Sequence, residues 1–429
     1  MSASGFHVMA KPMGPVCNLE CKYCFYLEKN KLFPQGECFR MSESVLEAYI
    51  KKYICEQDIP EITFVWQGGE PTLAGIPFFQ TVLRLQDRWA EGKQIHNALQ
   101  TNGIMLDDTW CRFLRANDFL VGISLDGPAF LHDRNRTDCA GNGTFHRVLH
   151  AIGLLQQYGI EYNVLVSVTR ESCAYGRRIY RFLRSLGVRH MQFTPVIERM
   201  PDQLAEELGL QYAVPQEPEA QCGNWQVTDF TVEPEAYGQF LTDVFDEWIA
   251  QDVGRIFIRN VEDILPVYLG LNPTMCVYEQ QCGGCMIVEH NGDVYSCDHF
   301  MYPAYRLGNV QQDSLYTLAH SEQQQAFGAR KKELPMSCRM CEVLPVCGGG
   351  CPKHRFVCKQ GETLPTHYLC AGYRMFYRHI HPYMKAMAQL ISNNLPVTDV
   401  MKLKNGPLIY MQDPSVSSSG CPSMEKGNT

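Results

Sequence analysis

Cys17, Cys21 and Cys24 form a C-x-x-x-C-x-x-C triplet in a chain that carries 20 cysteines among 429 residues. Three thiolates this close on one loop can bind three irons of a cubic four-iron cluster. The fourth iron is then open to an outside ligand, which makes it a place for chemistry. The same sulfurs also suit a zinc ion whose tetrahedron is closed by a distant residue. A second cysteine field runs from Cys276 to Cys370 through CVYEQQC, CDH and CRMCEVLPVCGGGC. Its little regular periodicity marks a small domain organised around metal rather than around an apolar core. Its C-x-x-C pairs alone do not separate zinc from iron.

The elements that must carry these residues follow from hydrophobic pattern. Short apolar runs at Phe6–Ala10, Ile62–Trp66, Ile95–Leu99, Phe119–Ser124, Asn163–Val168 and His190–Thr194 read as strands. Helix-period segments separate them at Pro77–Trp89, Asp108–Asn117, Thr144–Tyr158 and Ala174–Leu186. A further helix runs to about Glu56, opened by a capping box of Ser44 and Glu47. Six strand-helix alternations predict an α/β fold, a partial (β/α)6 TIM-like barrel whose chemistry lies beyond the carboxyl ends of the strands. The cysteine triplet follows the first strand. Residues 200–234 are acidic and poorly periodic and read as a loop or linker, and Pro234–Ala250 as a bridging helix. The expected division is a core over 1–235, a bridging helix with the cysteine-rich domain over 236–385, and a helix with a disordered tail over 386–429.

Composition narrows the function classes. With 45% hydrophobic and 20% charged residues the chain is globular, and its length suggests about three domains of about 150 residues under the usual prior. A net charge of −8 gives no basic field, so neither nucleic acid nor a membrane surface is an expected partner. The amino terminus lacks the apolar core of a signal peptide and no run reaches a membrane span, so a reducing cytoplasm is the expected compartment.

The triplet and its aromatic follower, CNLECKYCFY, resemble the radical S-adenosylmethionine (SAM) superfamily, and so do WQGGEP, LQTNG, ISLDG and RNRT. That resemblance implies that Cys17, Cys21 and Cys24 hold a [4Fe-4S] cluster whose open iron binds SAM. Tyr23, Gly69, Glu70, Ser124, Arg136 and Ile197 would line the methionine and adenosine portions. The second field resembles the SPASM domain, an irregular C-terminal iron-sulfur unit. By that resemblance Cys276, Cys282, Cys297 and Cys351 would hold one auxiliary [4Fe-4S] cluster, and Cys338, Cys341, Cys347 and Cys370 the other. Cys285 and Cys358 lie inside the same field as rival ligands. The remaining unassigned cysteines read mostly as buried small hydrophobes.

Over roughly residues 5–385, CNLECKYCFYLEK, TFVWQGGEPTLAG, LVGISLDGP, VEHNGDVYSCDHF, RLGNV and CPKHRF resemble the anaerobic sulfatase-maturating enzymes. The family implies oxidation of a cysteine or serine in an unfolded sulfatase, or in its motif peptide, to Cα-formylglycine. A 5′-deoxyadenosyl radical from SAM removes the β-hydrogen, Asp298 takes the side-chain proton, and an auxiliary cluster takes the second electron. A reducing donor such as flavodoxin or ferredoxin is implied as well. Tyr26 and Gln67 sit beside the main motifs and either face substrate or pack. Two other readings compete: a SPASM-type enzyme that makes thioether crosslinks, and a zinc-stabilised binding protein without catalysis.

Overall fold

The computed structural model describes residues 5–215, 222–223 and 225–405. Six parallel strands, β1 (His7–Lys11), β2 (Glu61–Trp66), β3 (Gln94–Thr101), β4 (Leu120–Ser124), β5 (Tyr162–Val168) and β6 (His190–Pro195), pair in chain order. Each next strand is reached through a helical crossover, as parallel pairing requires. The predicted strands are thus present within one or two residues. The short β7 (Phe257–Ile258) adds to β6.

The other edge of the sheet was not foreseen. β8 (Cys285–Glu289) pairs in parallel with β1, and β9 (Asp293–Tyr295) and β10 (Arg306–Asn309) continue from it antiparallel. One ten-stranded sheet therefore joins the barrel to the cysteine-rich segment. The register sets Lys11 opposite Glu289, so the strand that leads into the cysteine triplet also supports the strand that leads toward Cys297.

The core lies between sheet and helices. Trp66 is fully buried against Tyr49, Phe64, Phe78 and Phe79, and its indole N–H donates to Asn97 Oδ1 at 2.8 Å. An aromatic of this size buries the largest apolar area available to one side chain, and the bond to Asn97 removes the cost of its polar edge.

Several local expectations need correction. The first helix spans Glu43–Cys55, and its cap is Ser42, whose hydroxyl accepts from Val45 N; Ser44 lies inside the first turn. The linker region contains a short helix at Gln203–Glu207 capped by Asp202. The helix Cys370–Ser392 runs unbroken through the boundary expected at 385, despite Pro382, because its apolar face packs on Pro234–Gln251. The contact is close enough that a Cβ on Gly372 would stand 1.8 Å from Pro234 O. The tail and Cys421 lie outside the described residues. Among those residues no helix is long and apolar enough to cross a membrane.

Candidate active site

Cys17, Cys21 and Cys24 occupy the loop directly after β1, at the carboxyl end of the sheet. Burial lifts the thiols of Cys17 and Cys21 to about 12, and neighbouring sulfurs of the triplet add to the rise. Soft sulfur donors gathered in a place that disfavours bare thiolates suit bound iron, which deprotonates its thiol ligands outright. Leu19 N donates to Cys17 Sγ at 3.4 Å and Asn102 Nδ2 reaches it at 3.6 Å.

The glycine pair after β2 is built against this loop. Gly69 N donates to Gly14 O at 2.8 Å and Glu70 N to Val16 O at 2.9 Å. A Cβ on Gly69 would fall 2.0 Å from Val16 O. The glycine pair thus makes a close backbone approach to the cysteine loop. Glu70 is buried and heavily bonded: Oε1 accepts from Thr72 N, Thr72 Oγ1 and Thr101 Oγ1, and Oε2 from Asn102 N at 2.8 Å. It ties the loops after β2 and β3 together, and only Oε2 retains capacity for a further donor.

Ser124, Arg136 and Ile197 come from the loops and strand ends after β4 and β6 and lie on the same carboxyl side. Ser124 Oγ accepts from Gln100 Nε2 at 3.3 Å. Arg136 Nε donates to Asp126 Oδ2 at 2.9 Å, and the Tyr23 hydroxyl donates to the same oxygen. Asp126, which carries no role in the sequence analysis, thus joins Tyr23 to Arg136; its signal is the aspartate of ISLDG directly after an apolar strand.

In the second field, mutual influence between thiols sorts the cysteines. Cys276, Cys282 and Cys297 are each raised first by burial and then by neighbouring sulfurs, Cys351 among them in every case. Cys351 goes the other way, down to about 7, because the His299 contact at 3.5 Å and its charge overcome burial. Cys338 and Cys347 are likewise raised by burial and by Cys370, and Cys341 acts on both Cys338 and Cys370. Influence thus links Cys351 with Cys276, Cys282 and Cys297, and Cys370 with Cys338, Cys341 and Cys347. Among the described residues, no three Cys, His, Asp or Glu side chains converge as a single metal ion requires.

The remaining cysteines depart from expectation. Cys358 forms a disulfide with Cys222, which removes it as a rival ligand. Among the described remaining cysteines only Cys111 and Cys173 are buried, while Cys38, Cys55 and Cys139 are exposed. Cys285, on β8, is raised by burial and then by Cys276 and Asp298.

Asp298 opens a short 3-10 turn directly after Cys297. Its Oδ1 lies 2.5 Å from Lys11 Nζ. Burial works against its carboxylate, yet Lys11 and then His299 outweigh it and hold its pKa below the ordinary value. The Lys11 ammonium also stands 3.8 Å from the centre of the Tyr26 ring, and the Tyr26 hydroxyl donates to Glu289. Lys11 was missed in the sequence; a cation ending an otherwise apolar buried strand was the available signal.

The sequence and the fold match known proteins. The radical SAM superfamily profile matches residues 12–175, and that of an iron-sulfur cluster-binding domain, SPASM, matches 276–342. The serine-type anaerobic sulfatase-maturating enzyme of Bacteroides thetaiotaomicron is 38% identical over 408 residues, 95% of this chain and 97% of that one. The cysteine-type enzyme of Clostridium perfringens is 32% identical over 87% of this chain and 96% of its own length. The solved structure of native anSMEcpe with bound AdoMet and the Cp18Cys peptide superposes with a TM-score of 0.78 at 30% identity, covering 90% of this chain and 99% of that one. SuiB of Streptococcus suis, at 12% identity and a TM-score of 0.54, shares the fold. With both domain profiles in place and more than a third of the residues identical along nearly the whole length, the chain belongs to the anaerobic sulfatase-maturating enzymes of the radical SAM superfamily.

Proposed function

We propose that the chain oxidises a cysteine or serine within a sulfatase motif peptide to Cα-formylglycine, using SAM and three [4Fe-4S] clusters. The observation that carries this reading is the shared sheet, which brings the triplet loop after β1 and the Cys297–Asp298 pair after β9 to one place. Cys17, Cys21 and Cys24 would hold the first cluster. Cys276, Cys282, Cys297 and Cys351 would hold one auxiliary cluster, and Cys338, Cys341, Cys347 and Cys370 the other. Tyr23, Gly69, Glu70, Ser124, Arg136 and Ile197 would line SAM. When bound, these groups supply a 5′-deoxyadenosyl radical that removes the β-hydrogen, and an acceptor for the second electron.

Asp298 then takes the proton of the side-chain oxygen or sulfur. A general base must reach the proton it removes, and an aspartate held in its ionised form is ready to accept one. In this reading residues 1–235 form the SAM-binding core, and the cluster domain begins at 236 and takes in the whole helix Cys370–Ser392. A flavodoxin or ferredoxin would supply the electrons, and the reducing cytoplasm suits so many thiolate ligands.

The test is an anoxic incubation of iron-loaded enzyme with SAM, reductant and paired cysteine and serine motif peptides. An aldehyde in either peptide, captured by a hydrazide, is the expected product. A thioether crosslink would assign the chain to another SPASM chemistry, and zinc in place of about twelve irons per chain would leave a binding protein.

A further inference from the structure

We propose that Lys11 is a positioning residue for the oxidation: it grips Asp298 through Oδ1 and leaves Oδ2 turned to the substrate hydroxyl or thiol. The inference rests on the reading of Asp298 as the base. Lys11 is 1% exposed, and an ammonium is removed from water at large cost unless it is paired. Its pairing is specific. Nζ meets Asp298 Oδ1 at 2.5 Å and caps the Tyr26 ring at 3.8 Å. The stem of the side chain is fixed as firmly, because Lys11 lies in register with Glu289, and that carboxylate receives the Tyr26 hydroxyl.

Among the described residues, Asp298 makes no other ion pair. It sits at the first position of a three-residue 3-10 turn, and the residue before it makes no side-chain capping bond. A short carboxylate on so brief a turn has several rotamers open to it, and the ion pair selects one. The strand of the barrel thereby fixes the base that the second domain carries.

The step served by this contact is the second half of the reaction. After the β-hydrogen has left, one O–H or S–H bond breaks and a carbon–oxygen or carbon–sulfur double bond forms. The proton would pass to Asp298 Oδ2, and an auxiliary cluster held by the second-field cysteines would supply the acceptor for the one remaining electron. Removal of the β-hydrogen itself needs no base. Loss of Lys11 should therefore spare 5′-deoxyadenosine formation and reduce aldehyde formation, a separation that a general loss of structure would not produce.

The experiment compares Lys11→Met, Lys11→Arg and Asp298→Asn with the parent, all iron-loaded, on one motif peptide. The ratio of aldehyde to 5′-deoxyadenosine is the readout. Displacing a reacting group by about an ångström costs about 100-fold, so K11M should lower the ratio by about that factor while 5′-deoxyadenosine stays within about threefold of the parent. K11R, which keeps a donor on the carboxylate, should regain about tenfold over K11M. A second readout is thermal: the melting penalties of K11M and D298N should not add in the double variant. Parental stoichiometry in K11M beside a reduced ratio in D298N would overturn the role of Lys11 and keep the base. Parental stoichiometry in D298N would remove the base reading itself. Should K11M not load iron, Lys11→Gln takes its place under the same criteria, and failure of both to load would make Lys11 a folding residue and end the proposal.

Discussion

Lys353 Nζ lies 2.6 Å from Glu198 Oε1, and both side chains are buried. The pair links the segment just after Cys351 to the loop after β6, next to Ile197. Lys353 also lies 4.3 Å from the centre of the Phe25 ring, beside Cys24. Removing one partner strands the other charge away from water. Lys353→Met should cost about 3–5 kcal/mol in denaturant unfolding, and adding Glu198→Gln should recover much of it. Equal stability of K353M and the parent would show that water reaches Glu198.

Gly69 supports a second expectation. A methyl group there would collide with the carbonyl of Val16 at 2.0 Å, and the obstacle is backbone that a side-chain rotation cannot clear. Gly69→Ala should therefore displace the triplet loop, removing about a third of the bound iron and abolishing 5′-deoxyadenosine release, while the auxiliary clusters remain. Gly153→Ala is the control. It lies in the helix Phe145–Gln157 with open space at its Cβ, and should load iron normally and gain about 0.5–1 kcal/mol.

These two cases also show what a sequence can reveal. The triplet, the WQGGEP turn and the second cysteine field were readable because ligand chemistry fixes residue type and spacing within short segments. The strand alternation was readable because apolar period fixes local structure. The pairing of β1 with β8 was not, since it joins segments more than 270 residues apart through backbone bonds that carry no residue signature. Lys11, Asp126 and Lys353 were missed for the same reason. Each matters only through a partner brought near by the fold, and a buried charge looks like an exposed one until its surroundings are known. The cap at Ser42 in place of Ser44 is a smaller version: both hydroxyls suit a cap, and the chain's entry from Met41, buried in the core, selects the earlier one.

Glu262 carries a pH expectation. It lines the cavity at the amino-terminal mouth of the barrel with Tyr162, His190 and Phe257, and burial together with Asp263 raises its carboxyl to about 7. A raised acid pKa means that the folded protein resists ionisation. Its penalty is absent below the ordinary value near 4.5, grows as pH rises toward 7, and is complete above it. Because the side chain is partly open to water, the effect is about 1 kcal/mol after screening. Glu262→Gln should be more stable than the parent at pH 8 by about that amount and indistinguishable at pH 4. The same difference at both pH values would place the effect in packing.

The Cys222–Cys358 disulfide closes a loop across 136 residues, from the linker after β6 to the hairpin that follows Cys351. Cross-linking a loop of this length restricts the unfolded chain and contributes about 5 kcal/mol in the entropic account. Neither cysteine belongs to the proposed ligand sets, so its reduction should leave the iron in place. Non-reducing digestion of the iron-free protein should yield the Cys222 and Cys358 peptides joined. The double variant C222S/C358S should keep full iron content and formylglycine formation, yet unfold at lower denaturant than the oxidised parent. Loss of one auxiliary cluster in that variant would instead make Cys358 a ligand and the disulfide a competitor for it, because a thiol cannot serve iron while bonded to another sulfur.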